Sequence, residues 1–184
     1  TRELEEQIAQ AQTLVAVEDL YRPYRPKRRT RAAIAQEKGL TPLADMIMLQ
    51  AMTEPVEKAA EDFISEEKGV KTVKEAVDGA KDILAERISD SADYRTYIRN
   101  TTRNLGTVQS AARDEKAESV YEMYYQYEEP IKKAAGHRIL ALNRGEDEKF
   151  LTVKIAAPEE QIIQYLERKV LTKDNPYTTP VLKE

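Results

Sequence analysis

The chain has 184 residues, a net charge of -4, 34% charged and 41% hydrophobic residues. That is enough to bury a sizeable core, and it excludes a nucleic-acid binder whose whole surface is basic. There is no cysteine, one histidine and no apolar run near the roughly 20 residues a bilayer crossing needs, which excludes disulfides, cysteine chemistry and a membrane-spanning helix. With no hydrophobic signal region at the N-terminus, these features predict a cytoplasmic protein. The chain starts at Thr1 with an amphipathic pattern already under way by Leu4, so residues 1–184 are expected to be a single helical region taken from a larger multidomain protein.

Leu4, Ile8, Ala11, Leu14 and Val15 recur at helical spacing and predict one amphipathic helix over about residues 3–18. It stops at a segment rich in Pro and Arg. Residues 32–38 form a short helix, closed by Gly39 at the C′ position. Thr41 followed by Pro42 predicts an N-cap with Pro at N1 for a helix carrying Leu43, Met46, Ile47 and Met48. After the punctuation at 53–55, Val56, Ala59, Ala60, Phe63 and Ile64 mark another helix, ended by Gly69. Thr72 and Glu75 have capping-box spacing. The residues that follow, from Val73 through Ala76, Val77, Ala80, Ile83 and Leu84 to Ile88, make the cleanest helical stripe in the chain, which predicts a core-facing helix. Asp90 or Ser91 caps a further helix with Tyr94, Tyr97, Ile98 and Leu105 inward, closed by Gly106.

Beyond residue 106 the pattern weakens, with a short extended piece expected at 107–110. Val120, Tyr124 and Tyr127 resume helical spacing until Pro130, which starts a new helix with Ile131, Ala134 and Ala135, broken by Gly136. Ile139, Leu140 and Leu142 make another short helical segment that stops at 143–145. Residues 150–155 alternate Leu151, Val153 and Ile155 against Thr152 and Lys154, a period of two that predicts a strand. Its partner would be 107–110 or a segment outside these residues. Pro158 opens a last helix with Ile162, Ile163, Leu166 and Val170, and residues 174–184, with Pro176 and Pro180, read as a linker or docking tail. The fold class is therefore all-α: an irregular multi-helical array with at most a small two-stranded β element.

The one stretch that departs from ordinary helix lies between Arg22 and Arg31, where every charged side chain is positive: Arg22, Arg25, Lys27, Arg28, Arg29 and Arg31. Pro23 and Pro26 forbid a continuous helix and stiffen the segment. The functional reading is phosphate contact, with Tyr21 or Tyr24 stacking on a base or ribose. The alternative is that these cations pair with acidic helices of the same chain or form a solvated loop. The tyrosines at 121, 124, 125 and 127 could form a stacking platform, but at that spacing they read better as half-buried wall residues on a helix. His137 lacks the cysteine, second histidine or motif carboxylate that a catalytic or metal site requires, so its expected place is at a helix start, hydrogen-bonded to backbone or an acidic neighbour. No catalytic residue, metal site or cofactor is predicted.

Two stretches resemble the bacterial transcription accessory protein family, Tex. One is the run from Val17 to Ala44 that contains Leu-Tyr-Arg-Pro-Tyr-Arg-Pro-Lys-Arg-Arg-Thr-Arg; the other is His-Arg-Ile-Leu-Ala-Leu-Asn-Arg-Gly-Glu at 137–146, followed by Phe-Leu-Thr-Val-Lys-Ile at 150–155. Family usage places a Ser just before the His, where this chain has Gly136. The resemblance implies a cytoplasmic, multidomain, nucleic-acid-binding protein associated with transcription, with an RNase H-like fold, a helix-hairpin-helix segment and an RNA-binding OB-fold module beyond Glu184. It also implies the transcription machinery as partner of the whole protein. These residues would then be a non-enzymatic helical scaffold within it, and nucleic-acid contact would fall to Arg22, Tyr24, Arg25, Lys27, Arg28, Arg29 and Arg31. The alternative is a purely architectural or partner-binding module whose arginines are paired internally.

Overall fold

The structure is a computed structural model that describes residues 2–25 and 29–184. Most of these residues are helical, around one small antiparallel sheet. The chain divides into two compact units, Thr1–Thr96 with Gln164–Glu184, and Tyr97–Ile163. Among the described residues, no helix is long and apolar enough to cross a membrane.

In the first unit the predicted opening helix is two helices, α1 (Arg2–Gln10) and α2 (Leu14–Tyr21). Thr13 is extended, and its hydroxyl accepts the N–H of Ala16 at 3.2 Å. The threonine thus restarts the helix as an N-cap, a competition with backbone hydrogen bonding that apolar periodicity does not register. Thr30 does the same for α3 (Arg31–Glu37), accepting from Ala33 N at 3.0 Å. Gly39, at φ +80, ends α3 as expected. Helix α4 (Thr41–Leu49) is entered from Leu40, whose carbonyl accepts from Ala44 N, so Thr41 is not the cap. Burial of Leu40 in the core draws the chain into the helix one residue early.

After α5 (Val56–Ala60) the chain tightens into a 3-10 turn, Glu61–Phe63, and then Ser65 and Val70 exchange backbone hydrogen bonds around Gly69. Helix α6 (Val73–Asp90) follows, with Thr72 accepting from Glu75 N at 3.2 Å. Half of the expected capping box is present. The Glu75 carboxylate accepts from Lys71 N at 2.8 Å, one residue upstream of the cap. The predicted stripe holds: Ala76, Val77, Ala80, Ile83 and Leu84 are buried against Ala32, Ala35, Leu43, Ile47 and Val56 of α3, α4 and α5.

The tail after residue 170 is folded onto the same unit by two amide side chains. Gln50, buried and left-handed at φ 49, donates from Nε2 to Val170 O at 2.7 Å and accepts from the N–H groups of Thr172 and Lys173 at 3.0 and 3.1 Å. Asn175 donates to Met52 O at 2.9 Å and accepts from Tyr177 N and Thr178 N. This turn leads into α10 (Thr179–Lys183), which lays Val181 and Leu182 on the core.

Two further helices, α7 (Ala92–Leu105) and α9 (Glu159–Val170), cross the boundaries between the units in sequence. The second unit contains α8 (Gly136–Asp147) and strands β1 (Thr107–Ala112), β2 (Gln126–Pro130) and β3 (Leu151–Ala156), in the antiparallel order β2-β1-β3. The expected pairing of 107–110 with the 150–155 strand is present, with Val108 opposite Ile155. A third strand, β2, occupies a segment read above as helix. There Glu122–Tyr124 is a 3-10 turn, and the three-residue interval from Tyr124 to Tyr127 bridges turn and strand, bringing the two rings edge to face at 5.2 Å. Helix α8 runs through the predicted stop. Gly145 sits inside it because a Cβ there would stand 2.6 Å from Leu151 Cδ1 on the adjoining strand.

The same kind of close approach organises the first unit. A Cβ on Gly79 of α6 would lie 2.4 Å from Leu40 Cδ1 and 3.3 Å from Ala35 Cβ. Gly79→Ala is therefore expected to gain helix propensity yet lose about 1–3 kcal/mol overall through overpacking, measured by urea unfolding.

Candidate nucleic-acid interface

The basic segment lies in the first unit, between the end of α2 and the start of α3. Pro23 fits the 3-10 turn Arg22–Tyr24 because its φ is already near helical, and Arg25 N closes the turn on Arg22 O at 3.3 Å. Arg25 itself is extended, and Thr30 anchors the far end as the cap of α3. Of the candidate residues, Lys27 and Arg28 lie outside the described residues.

The remaining cations fall into two groups. Arg22 Nε donates to Asp90 Oδ1 at 2.9 Å, at the last residue of α6, where the carboxylate is only 11% exposed. One turn back along α2, Asp19 is buried and accepts from Arg95 Nε of α7 at 2.7 Å. These two pairs tie α2 and its 3-10 extension to α6 and α7. The second group faces water. Arg29 pairs with Glu37 at 3.0 Å with both side chains more than 60% exposed, and the Arg31 guanidinium, 87% exposed, reaches Asp82 at 3.4 Å. Arg25 is exposed and forms no ion pair with a described residue. Tyr21 and Tyr24 are exposed beside it.

Burial decides what each pair contributes. An ion pair in open solvent is worth about 0–1 kcal/mol, because water screens the charges and ordering two long side chains costs entropy. Removing the partner of a buried carboxylate costs several times more, since its desolvation is no longer offset. Arg22 and Arg95 are accordingly structural, whereas Arg29 and Arg31 can exchange partners at little cost and Arg25 is exposed beside them in sequence.

Opposite the segment, Asp82, Glu86 and Asp90 recur every fourth residue and form an acidic edge on α6. A cleft of about 660 Å³ lies between the two, lined by Arg22, Arg25, Thr30 and Arg31 on one side and by Asp82, Glu86 and Asp90 on the other. The counter-charges on α6, and the Asp19–Arg95 pair, are what the sequence reading did not single out. The four-residue repeat of carboxylates was readable; the long-range pairing of Asp19 with Arg95 had no local signal.

The other candidates lie elsewhere. Tyr121 and Tyr124 are buried in the second unit, and Tyr125 Oη donates to Ala117 O, so these rings are walls and not a platform, on a turn and strand in place of the expected helix. The phenol oxygen of Tyr127 is buried with no partner at hydrogen-bond geometry among the described residues. Burial first, and then the neighbouring Glu129 carboxylate, push its pKa up to about 12. His137 stands exposed in the first turn of α8, as its position predicted, but makes no hydrogen bond with a described residue.

Residues 51–177 match the family model described as Tex central region-like. The chain is 46% identical to uncharacterized protein YdcI of Bacillus subtilis, over all of this chain and 26% of that protein. It is 40% identical to protein tex of Bordetella pertussis, over 84% of this chain and 20% of that protein. Similarity to the S1 RNA-binding domain-containing protein 1 of Homo sapiens is 29% identity, over 78% of this chain and 15% of that protein. The chain thus spans about a quarter or less of the length of these relatives.

Two measurements probe these sites. Arg95→Ala should lower unfolding stability by about 1–3 kcal/mol while Arg29→Ala stays within about 0.5 kcal/mol of the parent, as read by urea denaturation. The raised Tyr127 pKa means that the folded state holds this proton more tightly than the unfolded state. Its contribution is intact below pH 10, the ordinary tyrosine value, and is lost as pH rises towards 12. Tyr127→Phe should therefore gain stability relative to the parent across that window, and a constant difference would refute the assignment.

Proposed function

The chain belongs to the Tex family through its central region, and from that premise we propose that it is a non-catalytic helical scaffold of a cytoplasmic, transcription-associated nucleic-acid-binding protein. The basic segment adds phosphate contacts to that scaffold. Support for the setting comes from relatives named as transcriptional accessory protein in Neisseria gonorrhoeae and as S1 RNA-binding domain-containing protein in Homo sapiens. The observation that carries the contact is the division of the cations by exposure. Arg25, Arg29 and Arg31 stand in water, and Tyr21 and Tyr24 are exposed in the same stretch of sequence, offering charge to a sugar-phosphate backbone and rings to its bases without being needed to hold the helices.

A second role is supported by the Arg22–Asp90 pair: the start of the segment is an internal strap. The two roles coexist because different arginines serve them. Neither requires a cofactor or metal, and the acidic remainder of the surface confines phosphate contact to this segment.

Fluorescence anisotropy with labelled single-stranded RNA or duplex DNA tests the proposal. Binding should weaken steeply between about 50 and 200 mM salt, and replacing Arg25, Arg29 and Arg31 together with alanine should flatten the slope of log affinity against log salt by up to about two. Absence of binding at about 20 mM salt rejects the phosphate role and leaves the strap.

A further inference from the structure

We propose that the cleft between the basic segment and α6 seats one backbone phosphate, and that Asp82 is a built-in competitor for that seat. The inference rests on the phosphate role assigned above and adds the residue that regulates it. Asp82 Oδ1 meets Arg31 Nε at 3.4 Å, so a phosphate oxygen that drew on this N–H would take the carboxylate's place. The asymmetry of the pair matters: the Asp82 side chain is 28% exposed and held on α6, whereas the Arg31 side chain is 87% exposed at the start of α3. When the two part, the arginine swings to the ligand and the carboxylate stays behind in the cleft. Asp90 cannot act this way, because its carboxylate is more deeply buried and its pair with Arg22 ties the turn to α6.

Ion accounting distinguishes this exchange from simple attraction. A cation that neutralises a phosphate releases about 0.9 of a counterion from duplex nucleic acid. If the same cation first leaves a carboxylate, that carboxylate gathers a counterion from solution, and the two changes largely cancel. Arg31 therefore contributes little to the salt dependence while Asp82 is charged. With Asp82 neutral, Arg31 counts in full. Removing an acidic side chain thus makes binding both tighter and more salt-sensitive.

The experiment compares the parent chain with Asp82→Asn and Asp82→Ser, using labelled single-stranded RNA and duplex DNA from about 20 to 200 mM salt. Glu66→Gln, which removes the same charge from an exposed position in the turn at 65–70 and frees no arginine of the segment, is the control. Both Asp82 variants should bind about 2- to 5-fold more tightly at low salt, with a slope steeper by up to about one, whereas Glu66→Gln should shift affinity by less than about 1.5-fold and leave the slope unchanged. Thermal melting establishes that the variants are folded, and two different replacements protect against a local packing artefact. Equal gains in Glu66→Gln and the Asp82 variants, or unchanged affinity and slope in both Asp82 variants, overturn the competitor role. If the parent binds nothing at about 20 mM salt, or binds with a slope that the Arg25, Arg29 and Arg31 replacements do not alter, the phosphate role fails first.

Discussion

The close approach of α3 to α6 sets most of what the first unit can do. It depends on three small residues, Ala32 and Ala35 on one helix and Gly79 on the other, with Leu40 filling the space that a Cβ at 79 would take. With α3 held there, Thr30 and Arg31 are fixed opposite the second half of α6, and the preceding segment has a defined end point. Its other end is defined by the Arg22–Asp90 pair. The cleft exists because both ends of the segment are tethered to one helix, α6.

Within that frame the same residue type serves two purposes, and solvent exposure is what separates them. The carboxylates of Asp19 and Asp90 are too deeply buried to be left without a cation, so Arg95 and Arg22 are committed to the fold. Arg29 and Arg31 bridge to carboxylates through water-exposed geometry, and the balance of entropy and screening makes those bridges nearly neutral. A chain with a net negative charge can thus present positive charge locally, provided the surrounding carboxylates are occupied or positioned as competitors.

How much of this was readable beforehand depends on the range of the interaction. The α6 stripe, the Gly39 terminus, the start of α8 beside His137 and the pairing of β1 with β3 follow from periodicity and from conformational preferences of single residues. The break at Thr13 and the strand at 126–130 do not. In the first, a hydroxyl cap outcompetes a continuous apolar pattern; in the second, helical spacing of tyrosines coincides with a turn followed by a strand. Gly145 misled for a related reason, since a glycine that admits a neighbouring Leu151 is indistinguishable by sequence from one that ends a helix. At the candidate site the cations were evident but their partners were not. The partner of Arg22 lies 68 residues away and that of Asp19 lies 76 residues away, and no local pattern encodes such pairs.

The Gln50 clamp bears on the order in which the chain can be assembled. The second unit is one continuous stretch, whereas the first is made of two segments that the second separates in sequence. The bond from Gln50 to Val170 spans 120 residues, and that from Asn175 to Met52 spans 123. Contacts this remote in sequence are late and slow, since the chain between them must be ordered or looped out before they form. On a ribosome the Gln50 amide has only the long 3.4 Å bond to Met48 O, and the carbonyl of Met52 lacks its Asn175 donor, until residues 170–175 emerge. The helices of the first unit can thus gather early, but their last polar groups are satisfied only after the whole intervening unit has been synthesised.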